Sequence, residues 1–121
     1  MYQVIKIGDQ DVPMRSSAAT QYRFKSVFGA DLMSALSRAY NSPDNRAEAA
    51  ELIPKLAFIM ARQAANEADW GKINTQSFLD WADQYDATDM AKAAIDIVSV
   101  YNRNTKTTSS PKNPEGAPSE R

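Results

Sequence analysis

Pro13 limits what this chain can fold into more than any other single residue. Residues Tyr2 to Ile7 alternate, with Ile5 and Ile7 facing one way and Val4 and Lys6 the other, which is the period of a half-buried strand. Gly8-Asp9-Gln10-Asp11 follows as a turn, and Val12-Pro13-Met14-Arg15 can return as a second, short strand. A proline has no N–H to give to a ladder, so that strand must lie at an edge. The pair is therefore a two-stranded hairpin leaning on something else, since two strands alone are marginal in water. The body has to come from helices.

Helical patterns fill the rest of the chain. Ser16-Ser17-Ala18-Ala19-Thr20 offers hydroxyl caps before Gln21 to Phe28, where Phe24, Val27 and Phe28 share a face and Gly29 supplies a C-terminal stop. Asp31 caps a second helix carrying Leu32, Leu36 and Tyr40 at four-residue spacing, with Met33 and Ala39 widening the stripe up to Asn41-Ser42-Pro43. The longest helix is expected to open at Asp44 and to run to about Ala65, with Leu52, Ile53, Leu56, Ile59, Met60 and Gln63 on its inner face. Pro54 removes a donor and crowds the preceding turn, so a kink or break is expected near Ala50 to Ile53.

Trp70-Gly71-Lys72-Ile73-Asn74 reads as a connector, and Thr75 as the cap of a short helix with Phe78, Ala82 and Tyr85 on one side and Trp81 beside them. A last helix is expected from Thr88 to about Asn104, burying Ala91, Ala94, Ile95, Val98 and Tyr101, with Asp89 and Arg103 at its ends as the helix dipole favours. From Thr105 onward three prolines and a single apolar side chain, Ala117, predict a disordered tail. The expected organisation is one domain over residues 1–104: a hairpin over 2–15, a body of about five helices over 18–104, and a tail over 105–121. In fold class the chain is mainly α.

Composition narrows the function. With 121 residues, 43% hydrophobic and 24% charged, the chain suits one globular domain. The longest nearly apolar stretch, Leu52 to Ala61, is interrupted by Pro54 and Lys55 and falls far short of the ~20 residues a bilayer crossing needs. The start, Met1 to Lys6, lacks the basic, apolar and small-residue succession of a secretory signal, and there is no cysteine, so a cytoplasmic location is expected. A net charge of −1 and a pI near 5.4 give little attraction for nucleic-acid phosphates. The absence of histidine takes away the commonest general base and metal ligand.

Asp80, Asp83, Asp86 and Asp89 are spaced by three, but Tyr85-Asp86-Ala87-Thr88 reads as a turn between helices, so these are taken as solvated groups or caps. No glycine lies among them, as a calcium loop would need, and the four isolated glycines write no phosphate cradle. No catalytic residue, cofactor or metal ligand is assigned, and a non-enzymatic binding protein is expected.

The run Ile5-Lys6-Ile7-Gly8-Asp9-Gln10-Asp11-Val12-Pro13-Met14-Arg15, followed by Tyr22-Arg23-Phe24, Phe28-Gly29-Ala30-Asp31-Leu32 and later Ser77-Phe78-Leu79, resembles the tail assembly chaperones of long-tailed bacteriophages, over residues 2 to about 104. The resemblance implies a protein of the host bacterial cytoplasm that coats the tape measure protein, keeps it soluble, self-associates along it, helps recruit tail-tube protein, and is not kept in the mature virion. It also implies a longer form made by a minus-one ribosomal frameshift. Pro111-Lys112-Asn113 could be encoded by CCA-AAA-AAC, which holds a slippery heptamer.

Such a client would be met by exposed apolar side chains, and Trp70, Phe78 and Trp81 are the candidates, the competing reading being that they close a small core. Phe24, Phe28 and Leu32 read as core, and Arg15, Arg23 and Lys25 as a basic cluster able to meet acidic groups of a neighbour. Two readings from other classes stand beside this one. A structural head-tail or tail component would be found in purified virions, and a helix-turn-helix regulator using Gln21 to Tyr40 would shift DNA.

Overall fold

The computed structural model describes residues 1–41 and 46–106. Strands β1 (Tyr2–Ile7) and β2 (Gln10–Arg15) are followed by α1 (Thr20–Phe28), α2 (Leu32–Tyr40) and α3 (Arg46–Ala64). A single 3₁₀ turn (Trp70–Lys72) then leads to α4 (Thr75–Ala82), α5 (Ala87–Lys92) and α6 (Ala94–Lys106). The chain is thus mainly helical with an N-terminal antiparallel hairpin.

The hairpin is tighter than its sequence suggests. Ile7 pairs with Gln10, so only Gly8 and Asp9 form the turn, and Gln10 and Asp11 belong to β2. Gly8 takes a positive φ of 62°, the conformation that a two-residue turn demands of its first residue. The register also explains Pro13. With Ile7 and Gln10 as the bonded pair next to the turn, Val4 and Pro13 form a non-bonded pair, and the missing N–H falls where no ladder bond was due. Ile5, Ile7, Val12 and Met14 are buried on the opposite face, and β2 lies along α3. Ser16 Oγ donates to the Val100 carbonyl at 2.9 Å, joining the hairpin's end to α6.

The central helix is α3. It is touched by β2, α1, α2, α4 and α6, so it is buried on more than one face. Leu52, Ile53, Leu56, Ile59, Met60 and Gln63 are inside as expected, and Ala57 and Phe58 join them. Pro54 does not interrupt it: α3 is one helix from Arg46 to Ala64, its many tertiary neighbours compensating for one lost backbone bond. Asp44, the expected start, lies outside the described residues.

Helix ends follow local chemistry. Gly29 closes α1 in the left-handed conformation and its N–H reaches the Lys25 carbonyl. Asp31 Oδ2 accepts from the Ser34 N–H at 2.8 Å at the start of α2. This hydroxyl and amide neighbour, Ser34, holds the Asp31 carboxyl below its usual pKa. The α2 stripe runs through Leu32, Ala35, Leu36 and Ala39, whereas Tyr40 and Met33 are exposed. At α4 the cap is Asn74, not Thr75: Asn74 Oδ1 accepts from the Ser77 N–H at 3.0 Å and Ser77 Oγ accepts from the Asn74 N–H at 3.2 Å. A reciprocal capping box of this kind satisfies two orphan donors. The start of α1 has no side-chain cap on its first turn, Ala19 holding that position.

The largest departure is at the C-terminal helix. A single helix was expected from Thr88, but the chain forms α5 and α6, meeting at Ala93, whose N–H is shared between the Asp89 and Met90 carbonyls at 3.2 Å each. The buried residues are Met90, Ala93, Ile97, Val98, Val100 and Tyr101: Val98 and Tyr101 are inside as expected, while Met90, Ala93 and Ile97 take the places expected of Ala91, Ala94 and Ile95. Ala91 is exposed and Ile95 is 84% exposed. The chosen stripe carries larger side chains at spacings of three and four, so it buries more apolar area. Helix α6 continues to Lys106, two residues past the expected end. The rest of the expected tail, with Pro111, Lys112 and Asn113, lies outside the described residues, as does the side chain of Arg103.

Candidate functional site

Two of the three aromatic residues proposed from sequence, Phe78 and Trp81, belong to a ring cluster on one side of α3. Phe28, Phe58 and Phe78 are in mutual edge contact, with ring centres 5.5 to 6.4 Å apart, and Phe58 also meets Trp81, which meets Tyr85. Phe24 joins through Phe28 at 5.1 Å. Edge and tilted pairs of this kind add to the area they bury. Phe78 is only 8% exposed and is a core residue rather than a free surface for a partner. Trp81 is half-buried in the same cluster. Trp70 stands apart, half-buried, with the Arg23 guanidinium 4.7 Å from its ring centre. The structure therefore brings Phe78 and Trp81 together and separates Trp70 from them. Phe28, read as core, is half-buried, and the Lys55 ammonium covers its outer face at 5.4 Å.

On the other side of α3 lies an apolar groove of about 380 Å³, lined, among the described residues, by Ala49, Ala50, Ile53, Pro54, Ala87, Met90, Ala91 and Ala94. Its walls are α3 on one side and α5 with the start of α6 on the other. No lining residue carries a charge or a side-chain hydrogen-bonding group, so what fits is apolar shape. Ile95, at the next position to Ala94, projects into solvent. Sequence reading missed this groove because it depends on which stripe α5 and α6 bury. The one available signal was the density of alanine over 47–50 and 91–94 beside Pro54.

The acidic series is dispersed by the turn expected around Tyr85. Asp80 lies within α4, Asp83 follows its last residue, Asp86 precedes α5 and Asp89 lies within α5. Among the described residues, no three His, Cys, Asp or Glu side chains converge as a metal-binding group. Asp89 instead leans on the hairpin turn, where a Cβ added to Gly8 would stand 2.6 Å from its Oδ2. Tyr101 is driven above the usual phenol pKa by burial and then by the charge of Asp31, and its hydroxyl donates to Met33 Sδ at 3.1 Å. Tyr85 is raised by burial alone. Both phenols are packed against the core.

No family model, curated protein or solved structure matches this chain. No helix among the described residues is long and apolar enough to cross a membrane.

Proposed function

We propose that this protein is a phage tail assembly chaperone: a non-enzymatic binder that holds the tape measure protein soluble during tail morphogenesis and helps bring tail-tube subunits to it. The observation that supports this reading best is the groove between α3 and α5–α6. Its described lining carries only apolar side chains, and Ile95, next to Ala94 in the chain, is exposed. A protein that shields the apolar stripes of a long helical client needs such a surface, since exposed apolar patches mark partner sites. The order of hairpin and helices on which the family resemblance was drawn agrees with the reading. On this account the protein acts in the host cytoplasm, self-associates along its client and leaves before the virion is complete.

Co-expression with the tape measure protein, the long helical product expected from the gene immediately downstream, tests the reading. The client is expected to become soluble and to co-purify, and Ala91→Glu, which places a charge in the groove, is expected to abolish both without unfolding the chaperone. A client that stays insoluble and unbound overturns the proposal, as does finding the protein in purified virions by mass spectrometry.

A further inference from the structure

A second concave site lies near the other end of α3 and differs in chemistry. It is a pocket of about 350 Å³ between the end of β2, the start of α1 and the end of α3, with Arg15, Arg23, Gln63, Asn66 and Glu67 in its wall. Gln63 is the organising residue. It is 4% exposed, and both its amide nitrogen and its amide oxygen bond to the walls. Its Nε2 donates to the Arg15 carbonyl at 2.6 Å and to Thr20 Oγ1 at 2.9 Å, and its Oε1 accepts from Arg23 at 3.2 Å.

The two guanidiniums are held by neutral groups. Arg23 lies over the Trp70 ring and bonds Gln63. Arg15 donates to Asn66 Oδ1 at 3.2 Å and stands 5.9 Å from the Tyr2 ring centre. Asn66 is itself held at a φ of 58°, in the left-handed turn that ends α3. Among the described residues neither arginine meets a carboxylate within ion-pair distance. Glu67, the one acid among the described residues of the wall, is already used: one oxygen pairs with Arg62 and the other accepts from the Asp69 N–H at 3.0 Å. The pocket therefore keeps two positive charges that nothing in the wall neutralises, in a chain whose net charge is −1.

We propose that this pocket binds a carboxylate-bearing segment of a partner protein, with an aspartate or glutamate side chain received between Arg15 and Arg23. A guanidinium stacked on an aromatic ring and fixed by one amide bond has lost much of its rotamer freedom while its remaining N–H groups still form a fork that matches a carboxylate. The presence of Glu67 in the wall favours a single carboxylate over a polyanionic backbone. Lys25 does not take part: it lies two residues from Arg23 and so on a different face of α1, beside Asp31. The inference is independent of the chaperone reading, since it names a chemistry and not a client.

The test titrates the full-length, isotope-labelled chain with an acetylated, amidated peptide of glutamate and leucine, and with its glutamine counterpart, while NMR follows the arginine Nε–H and the Trp70 indole N–H signals. The expected result is a saturable shift of the Arg15, Arg23 and Trp70 signals with the glutamate peptide alone, weakening as salt is added. Arg15→Gln and Arg23→Gln should each weaken binding by about tenfold, while Lys25→Gln, which removes the same charge, leaves it unchanged. Arg15 is exposed, so its variant keeps the test usable should loss of Arg23 from Trp70 disturb the fold. The proposal is overturned by the absence of a saturable shift in the wild type, by equal response to the glutamine peptide, by equal loss in Lys25→Gln, or by saturation with inorganic phosphate at lower concentration than with the peptide.

Discussion

On the flank of α3 that faces α1 and α4, Phe24, Phe28, Phe58, Phe78, Trp81 and Tyr85 meet ring to ring and fill the space between helices. On the flank that faces α5 and α6, the same helix presents Ala49, Ala50 and Pro54 to Ala87, Ala91 and Ala94, and the space is left open as a groove. Both flanks are apolar, so hydrophobicity does not distinguish them; side-chain volume does. Large rings close a gap between helices spaced 8–10 Å apart, and methyl groups cannot unless the backbones approach. One flank is therefore a structural core, and the other is a surface that a partner's side chains could complete.

The sharpest way to break this comparison is Phe58→Ala. Phe58 is buried and touches three other rings, so its loss should cost about 3–5 kcal/mol in chemical denaturation. A cost below about 1 kcal/mol would mean that the aromatic flank is as loosely filled as the groove. A paired test enlarges one alanine on α3 and one beyond the groove. Ala57→Leu, at a fully buried position, should destabilise by about 1–3 kcal/mol through overpacking, whereas Ala91→Leu, on the groove wall, should stay within about 0.5 kcal/mol of wild type. Equal effects would remove the distinction between the two flanks.

Gln63→Leu sharpens the comparison from the polar end of α3. It removes the side-chain donor to the Arg15 carbonyl and one of the two donors to Thr20 Oγ1, which keeps the Ser17 N–H, and should cost about 1–3 kcal/mol, measured by the same unfolding curves. The smallest effect belongs to the exposed cap at Asp31. Because its folded pKa lies below the ordinary value of 3.8, its contribution is present above that value and is lost as pH falls through the lowered folded value. Thermal midpoints of wild type and Asp31→Asn should therefore diverge in their pH dependence only in that acidic range.

Much of this fold is legible in the sequence, and the legible parts share a cause. The strand alternation around Ile5 and Ile7, the glycine stop at Gly29, the cap at Asp31 and the inner face of α3 all follow from interactions within a few residues. The misread parts depend on choices between near-equal local options. At α4, Asn74 and Thr75 are both good caps, and Ser77 decides for Asn74 by closing the reciprocal box. In α5 and α6 the stripe through Ala91 and Ile95 competes with the stripe through Met90 and Ile97, and packing against β1 and α3 decides for the second. Pro54 argued for a kink or a break, and α3 runs through it without a break among its many neighbours.

The candidate sites were less legible than the fold for the same reason. Arg15 and Arg23 are eight residues from one another on different elements, and only Gln63, some forty residues further on, fixes them in one wall. Trp70, Phe78 and Trp81 looked alike in sequence, yet one stands beneath an arginine and two belong to the aromatic cluster.

The sequence by itself determined that this chain makes an edge-limited hairpin followed by capped amphipathic helices, because proline chemistry, caps and periodicity act within a turn or two of where they are written. Only the tertiary structure decided which aromatic residues are core, where the alanines leave a groove and how two distant arginines come to share a pocket. Those outcomes depend on which helix faces meet, and that is settled by the volume and area buried across the whole core rather than by any local signal.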